Sequence, residues 1–293
     1  MTADVDLRKL RYFVAVAEEL HFGRAAERLY IAQPVLSRQI RALEHELGAQ
    51  LFVRTKRSTE LTPAGRQLLD DARPLLSSAE ALRRRVARTA RGPKTFTIGF
   101  MPGITVSTAV RAFEALRPDI DVEMLRTTTV DQVQVLYDGR ADVSVVRLPI
   151  EQRGLSIRPL FEEPRLAILA ADHRLAGKPV LDLVDLADEH LLQHPSQVPE
   201  WRDIAVELRS GRSRPVPELN SVEEKLEHVA SGRGISILPR SVAAFYQRPD
   251  VFAVPVNDLA PNKVCLAWLA SRRTRAIQEF AALAGRVEWI APH

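Results

Sequence analysis

The stretch IAQPVLSRQIRALEHELG, residues 31–48, reads as one helix with a proline near its start. Pro34 suits the first helical position, where its fixed φ angle fits the helix and its missing N–H has no partner to lose. Gly48 suits the end of the helix. Four apolar residues between them fall on one narrow stripe, which predicts a helix that packs one face on its domain. They are Leu36, Ile40, Leu43 and Leu47.

The opposite face of this helix is polar and basic. Pro34, Ser37, Arg38, Arg41 and His45 fall within one arc at about 100° per residue. Such an arc is usually the solvated face of an ordinary surface helix. The residues that precede the helix favour a different use.

Two shorter helices are predicted before it. LRKLRYFVAVAEEL has apolar residues at helical spacing, and GRAAERLY carries small apolar residues on one side. IAQP then makes a tight turn into the helix of residues 31–48. Two helices joined by so short a turn predict a helix-turn-helix, and the small Ala25 and Ala26 allow the helices to cross closely.

The segment AQLFVRTKRSTELT, residues 49–62, predicts two short strands around a basic tip. It is either a plain exposed hairpin or a wing whose charge adds to that of the helix. The shared positive sign of Arg54, Lys56, Arg57 and the helix face favours the wing and a DNA partner. We expect the helix to enter the major groove, and the wing arginines to reach phosphate or the minor groove.

The charge distribution agrees with this interpretation. Residues 1–92 carry 17 Lys and Arg against 11 Asp and Glu, whereas the other 201 residues carry 24 against 26. A basic first third joined to a near-neutral remainder indicates an anion-binding module attached to a different body.

A long helix is predicted from Thr62-Pro63, a good N-cap and first position, to Gly92-Pro93. Apolar and small residues recur along it at alternating spacings of three and four, as in a heptad seam. They are Gly65, Leu68, Ala72, Leu75, Ala79, Leu82 and Val86. The helix either pairs subunits or packs on its own domain, and Pro74 is expected to kink or weaken it.

The sequence after Pro93 changes period. Strand-like runs such as TFTIGF, DVEMLR, ADVSVVR, RLAILAA, HLLQ, PVPELN, ISILP, VFAVPV and VCLAWLA alternate with helical stretches. The alternation predicts βαβ units, mostly parallel sheet, and two small α/β lobes with a ligand cleft between them. The lobes are expected at about 93–163 with 268–293, and at about 164–267.

Composition places the chain among cytoplasmic globular proteins. Hydrophobic residues make up 46% of it and charged residues 27%, and no apolar run approaches the length of a membrane span. The start lacks the features of a signal peptide. The single Cys265 lies in a strand-like apolar run, which favours core packing over a redox role.

The chain resembles the LysR-type transcriptional regulators. The match to their DNA-binding domain is nearly residue for residue along LRYFVAVAEELHFGRAAERLYIAQPVLSRQIRALEHELGAQLFVRTKRSTELTPAGRQLL. TFTIGF, DGRADVSVVRLP, LLQHPS and SGRGISILP then follow in the order of that family, so the resemblance covers essentially the whole chain. VRLPI and LLQHPSQVPEW are most similar to the branch that senses benzoate, muconate and related acids of aromatic catabolism.

The resemblance implies an all-α winged helix-turn-helix at 1–62, a dimerising linker helix at 63–92, and a periplasmic-binding-protein-like effector domain at 93–293. Such proteins are usually homotetramers of paired dimers that bind an imperfect palindrome near a promoter, respond to a small effector and recruit RNA polymerase. No cofactor or metal is implied. In this chain, Gln33, Pro34, Ser37 and Arg38 match family positions that face DNA.

The family places its effector against three stretches that begin loops or helices. Here they are MPGIT, with Gly103, Ile104 and Thr105; TTT, with Thr128 and Thr129; and HPS, with Pro195 and Ser196. Thr129 matches a hydroxyl position of the aromatic-acid branch, whereas Gly103 stands where that branch tends to have serine. Either Thr105 substitutes for that hydroxyl or the ligand differs. Helix N-termini suit a carboxylate. Arg147 is a carboxylate partner or a strand-end surface ion pair.

The leading hypothesis is a transcription regulator controlled by a small carboxylic acid. A constitutive DNA-binding regulator without an effector is the first alternative. An α/β enzyme with an accessory helix-turn-helix is the second, and the sequence disfavours it because it has no phosphate loop, nucleophile motif or histidine pair at metal-ligand spacing.

Overall fold

The computed structural model of the protein describes residues 5–54, 58–91, 94–211, 214, 215, 219 and 221–289. These residues divide into two compact units, an N-terminal unit that extends to Arg91 and includes residues 137–139, and a C-terminal unit of the remaining residues. The division falls where the sequence predicts the end of the linker helix. No helix in the described ranges is both long enough and apolar enough to cross a membrane.

Three helices form the base of the N-terminal unit, as the sequence predicts. They are α1 (Leu7–Glu19), α2 (Phe22–Arg28) and α3 (Gln33–Leu47). His21 precedes α2, and its Nδ1 accepts hydrogen bonds from the N–H groups of Gly23 and Arg24 at 3.1 and 3.2 Å. These bonds satisfy free donors in the first turn of the helix.

Helix α3 ends at the predicted Gly48, which caps it with a φ angle of 63°, but it begins one residue earlier than predicted. Gln33 is its first residue rather than part of the turn, and Pro34 follows in the first turn because Ala32 already has the extended conformation of a residue before a helix. Leu36, Ile40 and Leu43 are fully buried, as predicted. Leu47, the fourth residue of the apolar stripe, is 40% exposed because the last turn projects beyond the core of the unit.

A two-stranded antiparallel wing follows, formed by β1 (Phe52–Arg54) and β2 (Thr59–Leu61). Phe52 anchors it, because its ring lies 5.4 Å from that of Phe13 and 5.8 Å from that of Phe22, between centroids. Aromatic contacts of this kind stabilise by about 0.5–1.5 kcal/mol beyond the area they bury. The wing is therefore fixed to the helices rather than freely projecting.

Helix α4 (Pro63–Arg91) is continuous through Pro74. Its first turn is capped by Thr62, whose Oγ1 accepts from the Gly65 N–H at 2.9 Å. A Cβ on Gly65 would lie 2.2 Å from the backbone oxygen of Leu51, so only glycine allows this close approach. Gly65 therefore serves packing within its own unit and not a seam with another helix.

The predicted heptad seam divides into two parts along α4. Leu68 and Ala72 pack on the core of the N-terminal unit. Farther along, Leu75, Leu82 and Val86 are 46%, 58% and 62% exposed. The first half of the helix thus packs on its own unit, whereas the second half leaves an apolar stripe uncovered in a single chain.

The C-terminal unit contains eight strands and seven helices within the described residues. They are β3 (Lys94–Phe100), α5 (Ser107–Leu116), β4 (Ile120–Arg126), α6 (Gln134–Tyr137), β5 (Val143–Arg147), β6 (Leu155–Glu163), β7 (Arg165–Ala170), α7 (Pro199–Ile204), α8 (Val206–Arg209), α9 (Val222–Ala230), β8 (Ser236–Pro239), α10 (Arg240–Phe245), β9 (Val251–Pro255), β10 (Asn262–Leu269) and α11 (Arg275–Ala284).

These strands form two sheets, one in each of two lobes. The first has the order β4-β3-β5-β10-β6 and the second the order β8-β7-β9. Strand β3 is parallel to β4 and β5, but β10 is antiparallel to both neighbours and the second sheet is antiparallel. The prediction of mostly parallel sheet is therefore wrong outside β3–β5. Strand β6 leads through Pro164 alone into β7 of the other sheet, so no βαβ unit forms at this point of the chain.

Strand β10 also corrects the predicted lobe boundary. It begins at Asn262 and lies between β5 and β6 of the first sheet, so the limit at residue 267 is placed too late. The chain returns to the first lobe before β10. Helix α11 then packs in that lobe, where the Phe280 ring lies 5.3 Å from the Phe113 ring of α5.

The strands predicted from the sequence differ from the structure at two further places. Strand β6 was not predicted, because it is an edge strand with Pro159 inside it, a position where proline is tolerated but hides the pattern. HLLQ forms only an isolated bridge between Leu191 and Ile235. PVPELN lies largely outside the described residues.

Candidate nucleic-acid interface and ligand cleft

The polar face of α3 is presented to solvent at its N-terminal half. Gln33, Pro34, Arg38 and Arg41 are exposed, and Ser37 is partly exposed. Within the described chain, neither Arg38 nor Arg41 has a hydrogen bond or ion pair, although most other arginines of this unit are paired with a carboxylate. Two free guanidinium groups on a helix that an apolar stripe holds in place can reach an external anion.

The turn before α3 contributes a residue that sequence reasoning missed. Tyr30 is 95% exposed and has a φ angle of 54°, in the left-handed region that side chains other than glycine rarely adopt. The Tyr30 N–H donates to the Glu27 oxygen, and the Ile31 N–H donates to the Ala26 oxygen. This tight reversal leaves the Tyr30 side chain exposed three residues before the start of α3. Only the shortness of the turn signals it in the sequence.

Of the two wing arginines in the predicted interface, Arg54 lies within the described residues, and it makes contacts that the sequence does not predict. Arg54 donates from Nη2 to the Glu44 carboxylate at 3.2 Å, and its guanidinium lies 4.4 Å above the centre of the Phe22 ring. Its charge is therefore used to fix the wing to α3 and α2. Arg57, with Lys56, lies outside the described residues.

The C-terminal unit contains a cavity of about 850 Å³ between its two sheets. Its walls come from segments that follow β4 and β5 in the first lobe, and from the 3₁₀ turn Pro195–Gln197, α9 and β8 in the second. Thr128, Thr129, Arg147 and Ser196 line it, as predicted from the sequence. This cleft has the size and mixed polarity of a small-molecule site.

Other predicted effector residues do not line the cavity. Ile104 is buried in the first lobe's core, and Thr105 and Pro195 face elsewhere. Gly103 has a φ angle of 82°, and a Cβ there would lie 2.6 Å from the Ser241 backbone oxygen. The missing serine hydroxyl thus has a steric cause, because the backbone of the second lobe approaches too closely for any side chain.

The two threonines differ in what their hydroxyl groups do. Thr128 donates from Oγ1 to Asp131 Oδ1 at 2.9 Å, and its N–H donates to the same oxygen at 2.7 Å. Burial alone would raise the pKa of the Asp131 carboxyl, but these bonds and Arg140 outweigh it and hold the pKa below its ordinary value. The Thr129 hydroxyl is exposed to the cavity and has no partner among the described residues, so it is the one free to bind a ligand.

Ser196 is held at the cavity by a neighbour two residues away. His194 Nδ1 lies 2.7 Å from Ser196 Oγ, and the Ser196 N–H donates to the same nitrogen at 3.3 Å. His194 thus has a local capping role before a short 3₁₀ turn.

Arg147 is neither a free carboxylate receptor nor a surface ion pair. Its side chain is 6% exposed, and its Nε lies 3.3 Å from Oε1 of Glu163. Its Nη2 donates to Ser241 Oγ at 2.9 Å and to the Pro102 oxygen at 3.2 Å. Burial lowers the pKa of Arg147 and the Glu163 charge opposes that shift. Neither of the two roles predicted from the sequence describes Arg147. It belongs instead to a buried network of hydrogen bonds that also reaches the second lobe.

Three residues of the cavity wall carry a buried side-chain atom without a hydrogen-bond partner among the described residues. These atoms are Thr127 Oγ1, Glu200 Oε2 and Asn262 Oδ1. An unsatisfied buried polar atom costs about 1–3 kcal/mol. No group of three or more His, Cys, Asp or Glu side chains suited to a metal occurs in the described ranges. The cleft is thus equipped with polar groups for binding a small molecule.

Comparisons with known proteins agree with both parts of this description. Residues 7–66 match the family described as bacterial regulatory helix-turn-helix protein, lysR family, and residues 90–288 match the LysR substrate binding domain. The HTH-type transcriptional regulator YnfL of Escherichia coli is 38% identical over 275 residues, which cover 90% of this chain and 92% of that protein. BenM of Acinetobacter baylyi is 34% identical, with 92% and 90% covered.

Solved structures are similar along the same length. Full-length BenM has a TM-score of 0.51 at 31% identity, with 96% of this chain and 95% of that chain covered. Full-length CbnR complexed with its target DNA has a TM-score of 0.51 at 26% identity, with 96% and 99% covered.

A helix-turn-helix with a free basic face, followed by a two-lobed domain with a cleft, defines the class of ligand-binding DNA regulators. The chain belongs to the LysR family of DNA-binding transcriptional regulators and carries that family's effector-binding domain.

Proposed function

We propose that this regulator binds an imperfect palindrome near a promoter and that a small carboxylate in the cleft of the C-terminal unit modulates its binding and its recruitment of RNA polymerase. In this proposal residues 1–62 bind DNA, residues 63–92 pair subunits, and residues 93–293 sense the effector. The free Thr129 hydroxyl in a cavity of about 850 Å³ is the observation that carries the effector part.

The DNA contacts are assigned to the front half of α3. An α-helix fits the major groove of B-DNA, and arginine can pair with two acceptors on a guanine edge. Arg38 and Arg41 are exposed and unpaired among the described residues, and Gln33 and Ser37 lie on the same face. Arg54 supports the wing through Glu44 and Phe22, and we assign it a positioning role.

Subunit pairing is assigned to the second half of α4. Leu75, Leu82 and Val86 form its exposed apolar stripe, and partial burial of three such side chains against a second copy stabilises by several kcal/mol. A two-fold pair of α3 helices then matches the symmetry of a palindrome. We propose a homodimer that assembles further into a homotetramer.

The effector is assigned to organic acids, with aromatic acids and dicarboxylates as the two candidate groups. Thr129 offers a free hydroxyl as a hydrogen-bond donor to a carboxylate, and Ser196, which His194 holds, lies at the same wall. BenM and CatR, both similar to this chain, are named HTH-type transcriptional regulators.

A footprint experiment tests the proposal. DNA selected from a random pool by the purified protein is footprinted alone and with benzoate, salicylate, muconate or succinate. We expect at least one acid to change the protected region and to raise the melting temperature of the protein, because a ligand that binds only the native state stabilises it. An unchanged footprint with every acid would favour the constitutive regulator instead.

A further inference from the structure

Five cationic side chains line the cleft, and they differ in what balances their charge. They are Arg126, Arg147, Arg165, Lys225 and Lys263. Arg147 is already neutralised by Glu163 in the buried network. A cation that is paired inside the protein has little capacity left for a ligand, so the partner of each one decides which of them receives an anion.

Two arginines are engaged by neighbours. Arg126 donates from Nη2 to the Tyr246 hydroxyl at 3.1 Å and lies 3.6 Å from the Glu223 carboxylate. Arg165 donates from Nε to a backbone oxygen at 2.7 Å and pairs through Nη2 with Glu200. Both guanidinium groups are thus held by acidic partners of their own.

The two lysines contrast. Lys263 lies 3.6 Å from the Glu162 carboxylate, and both side chains are more than half exposed. The Lys225 side chain is mostly buried, and its ammonium group has no hydrogen bond or ion pair with any residue that the structure describes. Burial lowers the pKa of Lys225, and no acidic group opposes that shift.

Lys225 lies on the face of α9 that lines the cleft. Ser221, Val222 and Lys225 line the cavity at i, i+1 and i+4 along the start of α9, so they share one face of the helix. Of the three acids on this helix, Glu223 is engaged by Tyr246 at 3.0 Å and by Arg126, Glu227 pairs with Arg248, and Glu224 is exposed; none forms an ion pair with Lys225 among the described residues. The cleft thus receives a lysine charge with no compensating charge from its own helix.

We propose that Lys225 is the ionic receptor of the cleft, where its ammonium group pairs with the carboxylate of the effector. The proposal rests on the proposed function and narrows it: the ligand must be an anion, and its neutral amide is rejected. The Thr129 hydroxyl supplies a hydrogen bond, whereas Lys225 supplies the charge.

The burial of the Lys225 ammonium group favours the binding of an anion. A lysine ammonium without a partner in a partly closed cavity is disfavoured, and a carboxylate placed beside it removes that penalty and adds a charge-assisted hydrogen bond. Loss of such a bond corresponds to about a 10-fold to 100-fold change in affinity. A neutral amide of the same shape carries no charge, so it neither removes the penalty nor forms the charge-assisted hydrogen bond.

Paired acids and amides test the proposal by calorimetry. Benzoate, salicylate and succinate are titrated into the full-length protein beside benzamide, salicylamide and succinamide. The variants are Lys225→Met, which keeps the length of the side chain without its charge, and Lys225→Arg, which keeps a charge. Lys263→Met, a paired lysine of the same cleft, is the matched control.

We expect at least one acid to bind the wild type at least 10-fold more tightly than its amide. Lys225→Met should remove this preference, Lys225→Arg should retain part of it, and Lys263→Met should leave it unchanged. Because the lysine charge has no internal partner, Lys225→Met should melt no lower than the wild type without ligand, which also shows that it folds.

The possible failures are distinguishable. Unchanged acid affinity in Lys225→Met, together with weakened acid affinity in Thr129→Val, would overturn the role of Lys225 and leave an acid-binding cleft. If acid and amide bind the wild type equally, the requirement for an anion is wrong. If no acid binds the wild type, both this inference and the proposed effector function are wrong.

Discussion

Arg147 and Glu163 form a buried ion pair at the ends of β5 and β6, with Nε and Oε1 3.3 Å apart. The second carboxylate oxygen of Glu163 accepts from the Ser241 N–H at 2.9 Å, while Arg147 donates to the Ser241 hydroxyl. Ser241 belongs to α10 of the second lobe. The pair therefore joins the two lobes at the wall of the cleft and balances its own charges.

Replacement of one partner should be costly. Glu163→Gln leaves the Arg147 guanidinium buried without its counter-charge and should lower the free energy of unfolding by about 3–5 kcal/mol, as measured by urea denaturation. Glu162→Gln, at the exposed neighbouring carboxylate, should change it by less than about 0.5 kcal/mol. Equal stability of the two variants would show that the pair does not hold the lobes.

The α3 face gives a prediction for DNA binding. Arg38→Ala should weaken binding to the selected DNA by about 1–3 kcal/mol and relax the preference at one base pair, as measured by fluorescence anisotropy with a set of point-changed sites. Arg73→Ala removes an exposed arginine of α4 that is paired with Glu18, and it should leave sequence preference unchanged. Unaltered affinity in Arg38→Ala removes this residue from the reading face.

The exposed stripe of α4 gives a prediction for assembly. Leu82→Glu places a charge in the proposed subunit contact and should shift the protein toward monomer in sedimentation velocity, with weaker DNA binding as a consequence. Leu116→Glu, at a leucine of the C-terminal unit that is 53% exposed, is the matched control and should retain the assembly. Retention of the oligomer in Leu82→Glu would place the subunit contact elsewhere.

The two predicted hydroxyl positions can be separated by substitution. Thr129→Val removes a free hydroxyl at nearly constant volume and should weaken the binding of benzoate or salicylate about 10-fold, with DNA affinity intact. Thr105→Val changes an exposed threonine outside the cavity wall and should have no effect. A loss of DNA binding in Thr129→Val would mean that Thr129 supports the fold and that the cleft contact is misassigned.

Cys265 is expected to be inert in the native protein. It is buried in β10, and burial raises the pKa of its thiol, with Lys263 in opposition. A raised pKa reduces the thiolate fraction at mildly alkaline pH, and the thiolate is the reactive form. Titration with a disulfide reagent should therefore be slow in the folded protein and fast after unfolding in guanidinium chloride. Rapid reaction of the folded protein would contradict the burial of this strand.

The DNA-binding part was accessible from sequence because its signals are local. The proline and glycine that bound α3, the apolar stripe and the short turn lie within a few residues of one another. The role of Arg54 was not accessible, because it depends on Phe22 and Glu44, which only the folded unit brings together.

The cleft shows the limits of sequence reasoning more strongly. Thr128, Thr129 and Ser196 were located correctly at its wall, but the partners of Arg147 come from β6 and α10, distant in sequence. The Lys225 ammonium has no partner among the described residues. This depends on which side chains the fold places near it, and no sequence motif encodes that. The exclusion of a side chain at Gly103 likewise arises from a distant backbone segment.

The central claim is that acid binding in the cleft and DNA binding at α3 are coupled. The most direct measurement is the affinity for the selected DNA with and without a saturating acid, paired with the affinity for the acid with and without DNA. Coupling predicts that both affinities change by the same factor, of about 5-fold or more, because linkage between binding sites is reciprocal. Affinities and footprint that stay the same in both directions, with an acid shown to occupy the cleft, would contradict the account.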